Sequence, residues 1–217
     1  MNMILYKYKL DLSPPTMSVQ MMLKALDVRC EEKDVDIFDK EYMNKEFIKI
    51  NPQRSIPTLI DDGHILWDSH AILIYLVKKF GKEEEYYPSE PLKRAVIDQR
   101  LYFESCNIFG LLRLIARPIV YHQYKGVSDY NIYECNDTYE RLNLFLEKTK
   151  WVAGDDITVA DFSLIPSVTS LDSFVPIDST KYPNILKWID RAKEWPFYDI
   201  NQRGVDDFTK LVNRFCA

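Results

Sequence analysis

Ser13 is the residue of this chain best placed to do chemistry. It follows Leu12 and precedes Pro14-Pro15, ahead of Val19, Met22, Leu23 and Leu26, which recur at helical spacing. Proline is tolerated in a first helical turn, where backbone N–H groups lack intrahelical partners. The spacing therefore puts Ser13 at a helix N-terminus, which carries partial positive charge and receives anions. A hydroxyl there can donate a hydrogen bond to a bound anion, or it can simply cap the helix. A second candidate group lies mid-chain. Phe109, Arg113, Ala116, Arg117 and Val120 recur at i, i+4, i+7, i+8 and i+11 and share a helix face. A charge on a mainly apolar face needs a reason. Arg113 can polarise a leaving group or pair with a carboxylate such as Glu104, and Phe109 and Val120 can equally be core.

The elements around these residues change character along the chain. Ile4-Leu5-Tyr6 reads as a strand, the stretch after Ser13 as a helix, and Lys33 to Phe38 as a half-buried strand through its alternation. Strand, helix and strand in this order imply a parallel βαβ unit. A short helix ends at Ile50, with Phe47 and Ile50 inward. Asp61-Asp62-Gly63-His64 is a hairpin turn between Thr58–Ile60 and Ile65–Trp67. Asp68-Ser69 then caps a helix that ends near Gly81. Lys82 to Pro91, charged and with two prolines, is a linker. Beyond it strand signals vanish. Leu92 to Tyr124 is one long helical pattern that Pro118 should bend or interrupt. Further helices are expected at Asp129–Lys150, Asp161–Leu171, Tyr182–Lys193, Trp195–Arg203 and Asp206–Phe215. Thr158 and Asp161 have the form of a capping box, with Ile157 stapled on Phe162.

Composition excludes several roles. The 217 residues are 47% hydrophobic with a formal charge of −5 and no dense basic run, which argues against nucleic acid. No apolar run reaches membrane-spanning length. Met1-Asn2-Met3-Ile4 lacks the charged and apolar regions of a secretory signal. His64, His70 and His122 lack metal-ligand spacing, and Cys30, Cys106, Cys135 and Cys216 form no CxxC pair. No metal is expected, and the cysteines suit reduced thiols in the cytosol.

Four segments occur in order: Leu10-Asp11-Leu12-Ser13-Pro14-Pro15; Asn51-Pro52-Gln53 leading into Ile56-Pro57-Thr58-Leu59; Trp67-Asp68-Ser69-His70-Ala71-Ile72; and Gly154 followed by Thr158-Val159-Ala160-Asp161-Phe162. Together they resemble a cytosolic glutathione S-transferase, of the insect epsilon class first and the delta class next, over almost the whole chain. The resemblance implies an α/β thioredoxin-like N-terminal domain followed by an all-α C-terminal domain. We place these at 1–81 and 92–217, with the linker at 82–91. It also implies a cytoplasmic homodimer with glutathione as co-substrate and a small hydrophobic electrophile as the second substrate. No metal, nucleic acid or membrane partner is implied.

The resemblance assigns roles that physical chemistry makes intelligible. Ser13 would donate to the sulfur of glutathione. A thiol is a poor nucleophile until ionised, and its free pKa is about 8.5. Lowering that by roughly two units takes about 3 kcal/mol of anion stabilisation, the order of a charge-assisted hydrogen bond plus a helix N-terminus. Ile56-Pro57 matches a cis-proline turn that presents the Ile56 backbone to the peptide as an added strand would. Asp68 and Ser69 match the pair that holds the γ-glutamyl amine and carboxylate, and His70 completes this glutathione-binding group. Three positions depart from the family pattern. Arg54 and Tyr42 stand where histidines usually line the glycyl carboxylate, and Met17 stands where an arginine is common. Arg54 can pair with that carboxylate or point to solvent. The acceptor pocket would be bordered by Phe109, Arg113, Ala116, Arg117 and Val120, with Leu12, Phe38, Phe208 and Val212. The implied reaction is conjugation, with glutathione-assisted dehydrochlorination as a variant. A non-catalytic carrier of apolar ligands is the alternative reading.

Overall fold

The computed structural model describes residues 2–9, 12–36, 44–82, 84–122 and 125–216, with the backbone alone at 120–122 and 215–216. Ile37, Phe38 and Tyr42 lie outside the described residues, and so do the surroundings of the Val120 side chain.

The N-terminal part runs β1 (Met3–Tyr8), α1 (Pro14–Ala25), β2 (Glu31–Val35), α2 (Lys45–Ile50), β3 (Thr58–Asp61), β4 (His64–Trp67) and α3 (Ser69–Phe80). Its sheet has the order β2-β1-β3-β4. β1 pairs parallel to β2, with Ile4 opposite Glu31, and antiparallel to β3, with Tyr6 opposite Thr58. This is the thioredoxin-like arrangement. The first strand–helix–strand unit is parallel because α1 supplies the crossover. β2 starts earlier than expected, at Glu31, with Glu31 to Asp34 exposed; within the expected stretch Val35 is buried and Asp34 exposed, as the alternation requires. It is an edge strand, and charges there discourage pairing with another chain.

The helical part comprises α4 (Pro91–Phe103), a π-helical segment (Glu104–Ile108), α5 (Phe109–His122), α6 (Asp129–Phe145), α7 (Val159–Asp172), α8 (Pro183–Ala192) and α9 (Asp199–Cys216). The long pattern from Leu92 is thus one rod, broken not at Pro118 but by the π segment, a geometry that often marks functional sites. The two helices expected at Trp195–Arg203 and Asp206–Phe215 are the single helix α9. Trp195 instead lies in the turn before it, stacked on Trp151 and Phe162.

α7 is the centre of the molecule. Every residue from Val159 to Leu171 is buried, as in a helix apolar on all sides. α1, α3, α4, α5 and α9 all pack on it, so one continuous core joins both parts. Its start is fixed by Asp161, whose Oδ2 accepts the Thr158 N–H at 2.9 Å and whose Oδ1 accepts the Val152 N–H and the Trp188 Nε1–H, both at 3.0 Å. Among the described residues no helix is long and apolar enough to cross a membrane.

Candidate active site

Ser13 occupies the N-cap of α1 with extended backbone, φ −102° and ψ 106°. Its side chain makes no capping hydrogen bond, and the residue is half-buried. The first turn behind it is unusual. Pro14 and Pro15 have no N–H, and the N–H groups of Thr16 and Met17 both donate to the Ser13 carbonyl at 2.9 Å. A helix start normally offers several orphan N–H groups, but this turn offers no spare one. The anion site expected at this helix end therefore relies on the Ser13 hydroxyl as its hydrogen-bond donor, with the peptide dipoles of α1 behind it. Met17, at the position where the resembling family often has arginine, is fully buried in the core. A charge there would have no partner.

The loop before β3 is organised by Asn51, which entered the sequence analysis only as the start of the segment leading into Ile56-Pro57. Asn51 is fully buried. Its Nδ2 donates to the Ser55 carbonyl at 2.9 Å and to Thr58 Oγ1 at 2.8 Å, and its Oδ1 accepts the Gln53 N–H at 2.8 Å. These bonds shape the stretch leading to Ile56-Pro57, whose peptide bond is cis. Ile56 is half-buried and Pro57 buried, whereas Arg54 is exposed with φ +55°.

Asp68 caps α3, its Oδ1 accepting the N–H groups of His70 and Ala71 at 3.0 and 3.3 Å. Its φ is +73°, a region that an L-residue occupies only at a cost and that recurs at ligand sites. The strained backbone and the capping bonds fix the orientation of an exposed carboxylate beside the half-buried Ser69.

His70 is anchored to the helical part. Its Nε2 lies 3.0 Å from Glu104 Oε2 and 2.7 Å from Ser163 Oγ, and its Nδ1 lies 3.3 Å from Ser105 Oγ. Glu104 is 4% exposed and also accepts the Ser167 hydroxyl. The π segment thus places Glu104 and Ser105 against the start of α3, while α7 presents Ser163 and Ser167 at i and i+4. Glu104 is the residue sequence analysis missed in this role. Glu104 is one of two acids, with Asp98, in that long helical run, and nothing local singles it out.

The acceptor-side residues divide. Leu12, Phe208 and Val212 are buried, and Phe208 packs edge-on against Phe174 at 5.6 Å. Phe109 and Ala116 are half-buried, while Arg113 and Arg117 are exposed. Of the two roles open to Arg113, pairing with Glu104 is not found: Glu104 is buried with His70 and Ser167, and the Arg113 guanidinium lies 5.9 Å from the centre of the Phe109 ring. A cavity of about 580 Å³ opens on the other flank of α5, lined by Leu114, Pro118, Ser128 and Asn131.

The glutathione S-transferase N-terminal domain model matches residues 8–84, and the glutathione S-transferase C-terminal domain model matches 124–196. The chain is 36% identical over 210 residues to glutathione S-transferase 1 of Manduca sexta, covering 96% of each chain. It is similar to the structure of an epsilon-class glutathione S-transferase from the housefly, Musca domestica, at 41% identity and a TM-score of 0.95 over 98% of both chains. A glutathione transferase homolog from Drosophila mojavensis, solved with bound glutathione, is 39% identical with a TM-score of 0.95, over 99% of this chain and 97% of that one.

Proposed function

The chain belongs to the glutathione S-transferase family, and we propose that within it Ser13 holds the sulfur of glutathione as a thiolate for attack on a small hydrophobic electrophile. The thiol proton leaves to solvent, the sulfur forms a new bond to carbon, and the leaving group departs with its electron pair. Where the substrate is a chlorinated compound with an acidic hydrogen, the same thiolate can remove that proton and expel chloride. Asp68 and Ser69 take the γ-glutamyl end, the Ile56 backbone pairs with the cysteinyl unit, and Arg54 faces the glycyl carboxylate. His70 acts as a positioning residue, holding the Asp68–Ser69 turn against the helical part. The working form is a cytoplasmic homodimer. Leu92 and Tyr102, more than 70% exposed on α4, are apolar side chains that a second copy would cover.

The observation that carries this reading is the uncommitted Ser13 hydroxyl at the start of α1. The experiment is the ultraviolet absorbance of glutathione thiolate on the protein across a pH series. Thiolate appearing well below the free pKa of about 8.5 supports it. Glutathione that binds but stays protonated, or that does not bind, refutes it.

A further inference from the structure

We infer, resting on the transferase reading above, that the electrophile carries a carboxylate, which Arg113 and Arg117 hold while its apolar body lies on Phe109. Ser105, Phe109, Arg113 and Arg117 form one ridge at successive steps of four. The ridge begins at the glutathione end of the molecule, because Ser105 Oγ lies 3.3 Å from the Nδ1 of His70, next to Asp68 and Ser69. At the α-helical rise of about 1.5 Å per residue, Arg113 stands about 6 Å along α5 from Phe109 and Arg117 about 6 Å further. The ridge thus runs from the serine-lined start of α3 across an aromatic ring to two cations.

Two other exposed or half-buried arginines of the chain are neutralised by an acid of their own helix, and these two are not. α5 contains no acidic residue. Arg141 has Asp137 at 2.6 Å and Arg203 has Asp199 at 3.5 Å, each one turn away on its own helix. Among the described residues no carboxylate lies within ion-pair distance of Arg113 or Arg117. Two like charges at i and i+4 repel, and on a chain of net charge −5 acids were available to neutralise them. The Arg113 guanidinium lies 5.9 Å from the centre of the Phe109 ring, and the residue is exposed. A guanidinium matches a carboxylate bidentately, and a second one a turn away strengthens the hold.

The test uses two compound pairs that differ in one charge. The first is unreactive: 3,5-dinitrobenzoate and its methyl ester, titrated into glutathione-saturated protein. The second adds the leaving group: 4-chloro-3,5-dinitrobenzoate and its methyl ester, with kcat/KM divided by the uncatalysed rate to remove the difference in intrinsic reactivity. The carboxylate should bind about tenfold or more tighter than the ester, the effect of one charge-assisted contact. The same order should hold in normalised kcat/KM, and the preference should shrink as salt is raised. Arg113→Gln/Arg117→Gln should bring the ratio near one, and the paired lysine variant should keep part of it. The single glutamine variants give the same readout if the double variant does not fold. An ester that binds as well as the acid, a preference indifferent to salt, or one that survives the glutamine substitutions overturns the inference. Carboxylate preference without conjugation of either chloro compound leaves the anion site standing and refutes the transferase reading instead.

Discussion

The Nε2 of His70 lies 3.0 Å from Oε2 of Glu104, and this contact ties the first turn of α3 to the π segment that joins α4 and α5. The two side chains are 14% and 5% exposed, so water cannot replace either partner at low cost. The Ser163 and Ser167 hydroxyls complete the arrangement from α7. The turn carrying Asp68 and Ser69 therefore owes its orientation to a residue of the other part of the chain.

Glu104→Ala should destabilise the protein by about 1–3 kcal/mol, as when a buried acceptor is removed and its hydrogen-bond partners are left unpaired. Urea unfolding checks this. Glu104→Gln keeps the shape and should lose less. In both variants KM for glutathione should rise more than kcat falls, because the positions of Asp68 and Ser69 are altered and the donor to sulfur is not. Stability loss with an unchanged KM would leave Glu104 a packing residue only.

Ser13→Ala should lower turnover by about tenfold or more, as the loss of one transition-state donor does. The first turn of α1 has two prolines, and its Thr16 and Met17 N–H groups are already bound to the Ser13 carbonyl. No backbone donor of that turn can take over. The pKa of bound glutathione should therefore return towards about 8.5, and the acid limb of the pH–rate profile should move up with it. Full activity near neutral pH in this variant would refute the assignment.

Much of this was legible in the sequence because the signals are local. Ser13-Pro14-Pro15, the Asp62-Gly63 hairpin turn and the Thr158–Asp161 box each declare themselves within a few residues. The paired domain signatures, in order, gave the family. What was not legible depends on distant partners. The π segment is a backbone adjustment with no residue pattern of its own, and Glu104 meets His70 only once both parts are folded. Gly204 and the acidic pair after it read as a break between helices, yet Gly204 is buried within the continuous α9. Asn51 stood only at the start of a motif, and its role appears only when its side chain is seen bound to Ser55 and Thr58.

The two buried aspartates should respond to pH in opposite ways. Burial works against ionising Asp61, but hydrogen bonds from Lys79 and Tyr75 and the Lys79 charge outweigh it and hold the carboxyl below its ordinary 3.8. Its stabilisation is present above that value and is lost as pH falls through the lower folded-state value. Asp161 has four hydrogen bonds and no cation, and burial raises its pKa above 3.8. Its contribution is fully present below 3.8 and declines as pH rises through the raised folded value. Asp61→Asn should therefore flatten the acid-side loss of stability, measured as melting temperature against pH. An unchanged acid limb would show that the Asp61–Lys79 pair is not its source.

The cysteines offer the last prediction, since their environments differ more than their chemistry. Burial, with the Glu32 charge adding to it, pushes the Cys30 thiol up to about 12, and burial with the nearby Glu134 charge does the same for Cys135. A thiol with a pKa near 12 is on the order of one part in ten thousand ionised at pH 8, and alkylation needs the thiolate. Cys106 is exposed in the π segment. In a Cys216→Ser background, iodoacetamide at about pH 8 should label Cys106 first, with Cys30 and Cys135 at least about a hundredfold slower. Each unit of added pH below 12 should speed the two slow sites by about tenfold, until unfolding intervenes. Their thiols favour the neutral folded form, so stability should also decline as pH rises from the ordinary thiol value of 9.0 towards about 12. Peptide mass spectrometry of the timed reaction reads all three sites at once. Labelling of Cys30 at the rate of Cys106 would mean that the β1–β2 edge of the sheet opens to solvent far more readily than its packing implies.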